Sequence, residues 1–338
     1  MEGAFDVING RALLGILTID YKLTCETGLL IRAPGAKMII GGADVQPMST
    51  KKIYEIDGQI LEIEVPYIPG SSIKGRMRSL LEVVLGLDVY SRDRKIYIHV
   101  RDLSQDNWCW DPDCVVDNLF GSPSIHIVKL LEKRQSATDE RKKIIDKFLE
   151  VLAPTRLIFS DAFPTIEYVK KLRDEKLAQG IDIIEFDDFL EEKSENRIDR
   201  ITSAADPRTF LRVKPEVEFE GTISYFIYDV DVDQNKIGKL EDYVESIFRG
   251  MKLLEDTYLG GCGSRGYGRI KFSNIRLILK PRSYYIGGAS GHHEIGTYVT
   301  LEDLLRKIKD ITSELRRILE DELKKYRESK GITSGTGQ

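Results

Sequence analysis

"PYIPGSSIKGRMRSLLE", residues 66–82, reads as a stiff proline-glycine turn running into an amphipathic helix. Ser71 or Ser72 is placed to cap that helix. Ile73, Met77, Leu80, Leu81 and Val84 step at three and four to form its apolar face, and Gly86 ends it. Upstream, "LGILTIDYKLTC" (14–25) mostly alternates apolar and polar residues, the pattern of a half-buried strand. Between them, residues 28–50 are broken by Pro34, Gly35, Gly41, Gly42 and Pro47 and read largely as an ordered loop.

Downstream, residues 88–120 are irregular, helical periodicity returns near 126–152, and a strand is expected at 156–161. Residues 165–192 look helical in part. The block "EKSENRIDRITSAADPRTFLRV" (192–213) is polar and basic in patches, with little to bury. A strand at 217–230, a helix at 239–258 and a strand at 266–279 follow. The order strand, helix, insert, strand, insert, strand, helix, strand predicts an α+β, ferredoxin-like (RRM-like) core carrying large insertions. Residues 301–326 form a last helix, where Leu301, Leu304, Ile308, Ile311, Leu315 and Ile318 make a narrow seam. Packing on its own domain is the expectation for that seam, with partner docking as the alternative. Residues 286–329 read as a linker and this helix, and 330–338 as a disordered tail.

With 338 residues, 41% of them hydrophobic, the chain can bury one large core or two modest ones. A net charge of −5 excludes a protein coated in basic residues, although nucleic acid follows local patches. The apolar runs are too short to span a bilayer, and "MEGAFDVING" lacks a signal-peptide pattern. Four unevenly spaced cysteines do not suggest a secreted disulfide scaffold, so a cytoplasmic protein is expected.

Local chemistry begins with the opening stretch. Backbone N–H groups at a helix start, backed by Lys74, Arg76 and Arg78, suit an anion. "GSSIKGR" lacks the spacing of a nucleotide-binding P-loop, so a phosphate of a polymer is the better candidate. The glycine-rich "YLGGCGSRGYGRI" (258–270) lets a ligand approach the backbone and places Arg265 and Arg269 beside Tyr258 and Tyr267. Cys109 and Cys114 in "CWDPDC" have a spacing that fits zinc, with His99 as a third ligand. Asp111, Asp113 or Asp117 are left open as the fourth, and two ordinary cysteines are the plain alternative. His126 reads as a packed histidine, and His292 and His293 as a loop pair.

Taken together, "GLLIRAPGAKMIIGGAD" (28–44), "PYIPGSSIKGRMRSLLE", "NLFG" (118–121), "RLIFSDA" (156–162), "EKSENRIDRITSAADPR" (192–208) and "LEDTYLGGCGSRGYGRIKF" (254–272) form an ordered set. That set resembles the RAMP backbone subunits of type III CRISPR effector complexes, of the Cas-seven family and Csm type. The resemblance spans roughly residues 14–280 and implies a ferredoxin-like palm over 1–285, with insertions at 88–125 and 126–192. It also implies a hairpin thumb within 191–213. Copies of such a subunit line up along a guide RNA, and the thumb pushes one guide base out of the stack. A loop aspartate then cuts the paired single-stranded target RNA with a divalent metal, Mg or Mn.

The position matching that aspartate is Asp44. A carboxylate in a glycine-rich loop suits a metal or activation of a ribose 2′-hydroxyl, which only RNA offers. The RNA grip implied falls on Ser71, Ser72, Lys74, Arg76, Arg78, Gly261, Gly263, Arg265 and Tyr267. In the thumb it falls on Arg197, Arg200, Arg208 and Arg212, with Ile198, Ile201 or Phe210 as an apolar wedge. The implied partners are the guide and target RNAs, further backbone copies or paralogues, the large Cas-ten-type subunit, the Cas-five-type cap and small subunits. Some relatives carry zinc just before "LFG", which matches His99, Cys109 and Cys114. A noncatalytic scaffold in the same complex is the alternative function. A stand-alone repeat-trimming endonuclease ranks last, because no histidine falls in the basic glycine-rich blocks.

Overall fold

The computed structural model describes residues 10–33, 45–91, 93–102, 109–123, 127–287 and 291–331. Asp44, His126 and most of the expected disordered tail lie outside them. The first strand, β1 (Leu13–Cys25), buries Leu17, Ile19, Tyr21, Leu23 and Cys25 at every second position, as its alternation requires. A hairpin of β2 (Ser49–Ile56) and β3 (Gln59–Pro66) follows and leads into α1 (Gly70–Val84). The next insertion carries α2 (Val115–Phe120), α3 (Ile127–Ser136) and α4 (Asp139–Val151). The chain then runs through β4 (Leu157–Phe159), β5 (Phe163–Pro164), α5 (Ile166–Leu177), β6 (Leu190–Ile198), β7 (Ala205–Val213) and β8 (Glu218–Tyr228). It ends with α6 (Asp229–Val232), α7 (Leu240–Asp256), β9 (Ile270–Pro281), α8 (Arg282–Tyr285), β10 (His293–Thr300), α9 (Leu301–Arg306) and α10 (Ile308–Ser329).

One antiparallel sheet has the order β10-β9-β1-β8-β4, with β5 also on β8. The inner order β9-β1-β8-β4 places the four strands of two split βαβ units as a ferredoxin-like fold does. The crossover helices α1 and α7 cover one face and share the main core: Ile73, Met77 and Leu81 meet Val244, Ile247, Phe248 and Met251 there. Arg156, at 1% exposure, pairs with the buried Asp231 at 2.6 Å and ties the start of β4 to α6. Leu130, Ile145 and Phe148 form a small separate core between α3 and α4.

Several local expectations change. Residues 49–50, expected at the end of a loop, open a regular hairpin that runs to Pro66; its Asp57-Gly58 turn has positive φ at both positions, which matches the strand twist. Pro69 occupies the N-cap of α1, with no side-chain cap from Ser71 or Ser72, and Val84 is 63% exposed. Within the expected C-terminal linker, β10 pairs with β9 from His293↔Leu279 to Thr300↔Ser273, so this segment extends the sheet. The terminal helix breaks at Lys307 into α9 and α10. Leu301, Leu304, Ile311, Leu315 and Ile318 join the main core with Ile308 packed against it, so the seam faces its own domain. No helix among the described residues is long and apolar enough to cross a membrane.

Candidate nucleic-acid interface

The start of α1 is locked onto the end of β4. Ile68 and Ala162 exchange two backbone hydrogen bonds of 2.9 Å, and the Gly70 N–H donates to Asp161 Oδ1 at 2.8 Å. A Cβ at Gly70 would lie 2.4 Å from the Phe159 carbonyl oxygen, so only glycine allows this approach. The positive end of the helix therefore already holds a carboxylate from the protein itself. Ser71 is exposed, Ser72 half-buried, and Lys74 is a half-buried cation drawn below its ordinary pKa by burial and then by Arg78.

The two arginines of α1 serve the fold. Arg76 stacks on the Tyr258 ring at 4.2 Å and donates to the Tyr258 carbonyl at 3.2 Å, which fastens the glycine-rich loop to the helix. Arg78 donates to Glu82 (2.8 Å), Asp117 (3.0 Å) and the carbonyls of Gly121 (2.6 Å) and His99 (2.7 Å). Against its expected role as an RNA cation stands that these protein acceptors already use its guanidinium. Sequence spacing puts Arg78 on α1 but cannot show what lies across from it.

The glycine-rich loop is equally structural at its centre. The Gly261 N–H donates to the Leu30 carbonyl at 2.8 Å, and a Cβ at Gly263 would sit 2.1 Å from the Tyr258 ring. Tyr267 is fully buried, with Lys193 Nζ 4.4 Å and the Arg212 guanidinium 4.5 Å from its ring centre. Burial and the facing Glu195 carboxylate push its phenol up to about 12. A ring in that position cannot stack on a base, so Tyr267 supports the loop from beneath.

Beside this loop stands the β6–β7 hairpin. Its pairs Lys193↔Phe210, Glu195↔Arg208 and Arg197↔Asp206 share one face of the ribbon. Near the tip, Glu195, Arg197, Arg200, Arg208, Phe210 and Arg265 line a cleft of about 370 Å³. Asp206 meets Arg197 at 2.9 Å and Arg208 at 3.6 Å, Glu195 meets Arg265 at 3.3 Å, and Glu191 meets Arg212 at 2.6 Å. At the turn, Asp199 Oδ1 accepts from the Ile201 N–H (2.9 Å) and from the Thr202 N–H (2.7 Å) and hydroxyl (2.9 Å), which together lower its pKa. Ile201 is left 93% exposed and Ile198 51%. Phe210 packs instead on Leu30 and Tyr267, which removes it from the wedge candidates.

The hairpin also fixes one end of the segment that carries Asp44. The Leu211 N–H donates to the Val45 carbonyl at 3.1 Å, the Ala33 N–H to Gln46 at 3.2 Å, and the Met48 N–H to Ile31 at 2.9 Å. The chain neighbour of Asp44 is thus tied to β7 at the base of the hairpin. Lys193, Glu195 and Arg32 belong to this region and were not singled out from sequence. The alternation of charge along 191–197 is the signal that marks the first two.

On the far side of α1, His99, Cys109, Cys114 and Asp117 are all buried, and their ligand atoms lie within 4.8 Å of one another. Cys114 Sγ is 3.3 Å and Asp117 Oδ2 3.5 Å from His99 Nε2, while His99 Nδ1 is 2.7 Å from the Asp88 carbonyl oxygen. Burial pulls the imidazole down, but Asp88, Cys114 and Asp117 more than reverse this and leave its pKa raised. The two thiols hydrogen-bond, which draws Cys109 below the ordinary thiol range and pushes Cys114 above it. Asp117 Oδ2 is buried without a hydrogen bond. These four donors of three kinds, one of them an unsatisfied carboxylate oxygen, could together hold a metal ion, and Asp117 is the aspartate of the three that lies with them. Cys25 and Cys262 lie elsewhere, Cys25 pushed up to about 12 by burial. His292 and His293 are exposed and bring together no acid–base pair with a described carboxylate.

Comparison with known proteins agrees with this architecture. The RAMP superfamily model matches residues 22–271. The CRISPR system Cms endoribonuclease Csm3 of Methanothermobacter thermautotrophicus is 34% identical over 287 residues, covering 85% of this chain and 95% of the relative. Its namesake from Methanocaldococcus jannaschii is 30% identical over 309 residues, covering 90% and 95%. The crystal structure of Methanopyrus kandleri Csm3 overlaps 90% of this chain and 98% of its own, at 19% identity and a TM-score of 0.49. The chain belongs to the RAMP superfamily and, within it, to the Csm3 family of type III CRISPR systems.

Proposed function

We propose that this chain is a backbone subunit of a type III CRISPR complex, holding guide RNA on its palm and cutting paired target RNA through Asp44. The observation that carries this reading is the joining of Val45 to β7 at the base of an arginine-lined hairpin. An RNA gripped by Arg197, Arg200, Arg208 and Arg265 passes Val45, the chain neighbour of Asp44. Ile198 and Ile201 supply an apolar tip that can separate stacked bases. Guide RNA, single-stranded target RNA, further copies of the chain and the large, cap and small subunits of a cytoplasmic complex are the partners of this reading.

In the cut, the ribose 2′-oxygen bonds to the adjacent phosphorus while the phosphorus–5′-oxygen bond breaks. Asp44 takes up the 2′-hydroxyl proton, and the departing 5′-oxygen takes a proton from water, leaving a 2′,3′-cyclic phosphate and a 5′-hydroxyl. A divalent ion, where the Asp44 carboxylate holds one, would supply Lewis acidity to this cut. The separate His99, Cys109, Cys114 and Asp117 cluster is read as a structural zinc site that secures residues 88–121 to α1 through Arg78.

The test is Asp44→Ala in the assembled complex. Loss of target cleavage with guide binding retained is the expected result. Cleavage that persists at the position this copy contacts reduces the subunit to a noncatalytic RNA scaffold. Metal analysis of the purified chain, with and without Cys109→Ser and Cys114→Ser, tests the zinc: one ion per chain in the parent and none in the double variant.

A further inference from the structure

We propose that Glu195 is a positioning residue, aiming the Arg265 guanidinium of the glycine-rich loop at a phosphate of RNA held in the thumb cleft. This rests on the RNA-holding part of the function proposed above and needs no step of the cut. Lys193 and Glu195 stand two apart on β6, so both side chains leave the same face of the ribbon. Both reach Arg265. Lys193 Nζ donates to its carbonyl at 3.2 Å, and Glu195 Oε2 lies 3.3 Å from its Nε. On the loop itself, Arg265 Nη2 donates to Cys262 Sγ at 2.7 Å. The arginine is thus held at its backbone and at two corners of its guanidinium. It remains 54% exposed and lines the cleft of about 370 Å³ with Arg197, Arg200 and Arg208.

Two carboxylates meet the cleft arginines, and they differ in burial. The Glu195 side chain is 20% exposed, against 52% for Asp206. Asp206 is an exposed partner that an RNA phosphate can replace at little cost. Glu195 also faces the Tyr267 phenol, and Lys193 Nζ lies 4.4 Å from the centre of that ring. A carboxylate set among these groups keeps its place when Arg265 gains a second anion, because withdrawing one partner would leave a largely buried charge uncompensated. Arg265 can then hold Glu195 through Nε and a phosphate oxygen through its outer nitrogens, since a guanidinium presents its donors as a fixed fork. An arginine set in advance loses less side-chain freedom on binding than one that must first be ordered, and the difference appears as affinity.

The test is a double-mutant cycle of Glu195→Ala and Arg265→Ala in the full chain, with Glu195→Gln beside it. Affinity for a single-stranded RNA oligonucleotide over a salt series and the urea midpoint are the readouts. Arg265→Ala is expected to weaken binding about fivefold and to flatten the salt slope by about 0.7, the share of one phosphate contact on a single strand. Glu195→Ala should weaken binding about threefold, although it removes a negative charge. The double variant should match Arg265→Ala within about twofold, because Glu195 acts through that arginine. Glu195→Gln keeps an oxygen for Nε and should bind within about twofold of the parent. A merely structural glutamate would weaken binding equally with Arg265 present or absent and would move the urea midpoint with it. That additivity, or a rise in affinity for either Glu195 variant, which is the behaviour of a competitor, overturns the proposal and leaves the RNA-holding function intact. Absence of salt-dependent RNA binding by the parent chain overturns that function and the proposal with it.

Discussion

In the thumb cleft, Arg197 is 72% exposed and meets Asp206 at 2.9 Å, whereas on α1 Arg78 is 19% exposed and reaches an Asp117 with no exposure at all. Both are arginine–carboxylate pairs, and sequence spacing alone treats them alike. An exposed pair contributes about 0–1 kcal/mol, so an RNA phosphate can replace the carboxylate at little cost. A pair that is buried on one side and hydrogen-bonded to two carbonyls as well cannot be exchanged without stranding polar groups. The exposed pairs of Arg197 and Arg208 with Asp206 can therefore be exchanged for another anion at little cost, whereas the contacts of Arg78 cannot.

The contrast can be broken most forcefully at Arg78. Arg78→Met should destabilise the chain by about 3–5 kcal/mol, because Asp117 and the carbonyls of Gly121 and His99 lose their donor. Urea unfolding measures this, and a loss below about 1 kcal/mol would put Arg78 with the exchangeable pairs. Replacing Arg197, Arg208 and Arg265 together by Ala should lower RNA affinity roughly 10²-fold and reduce the salt slope by about two, with the urea midpoint nearly unchanged.

Asp206→Asn isolates the exchange itself. It frees Arg197 and Arg208 together, so RNA affinity at low salt should rise a few-fold, read from binding isotherms over a salt series. An unchanged or weaker affinity would mean that Asp206 positions the arginines and does not compete with RNA. An intermediate case is Glu241, whose pKa is lowered by its hydrogen bond from Arg316 on α10. A depressed carboxylate stabilises the fold above its unfolded pKa, and that contribution is lost as pH falls through the lower folded value. Glu241→Gln should flatten the acid side of the stability profile by less than about 1 kcal/mol, since solvent screens a pair this exposed.

Much of the fold was legible because it rests on periodicity. The alternation in β1, the three-four steps of α1 and α7 and the seam of Leu301, Leu304, Ile311 and Leu315 all report which face is buried. The loop expected over 28–50 stops short of the β2–β3 hairpin, whose Asp57-Gly58 turn is a strong signal that the sequence reading passes over. β10 was missed because its exposed edge position leaves little burial pattern to read. In the candidate site, the basic residues of 192–213 lie along the paired strands β6 and β7 and their turn, but the burial of Phe210 and Tyr267 was not legible.

By itself the sequence determined the ferredoxin-like order of elements, the segments that build the arginine cleft and three members of the candidate metal cluster. Those properties follow from residue type and short-range spacing, which act within one element or turn. Tertiary structure alone decided which arginines are held by protein acceptors and which aspartate lies with His99, Cys109 and Cys114. Asp117 was one of three open choices until α2 carried it to His99, Cys109 and Cys114. Arg197 and Arg78 are the same residue type in different surroundings, and the energetics of a charge depend on that surrounding more than on the charge.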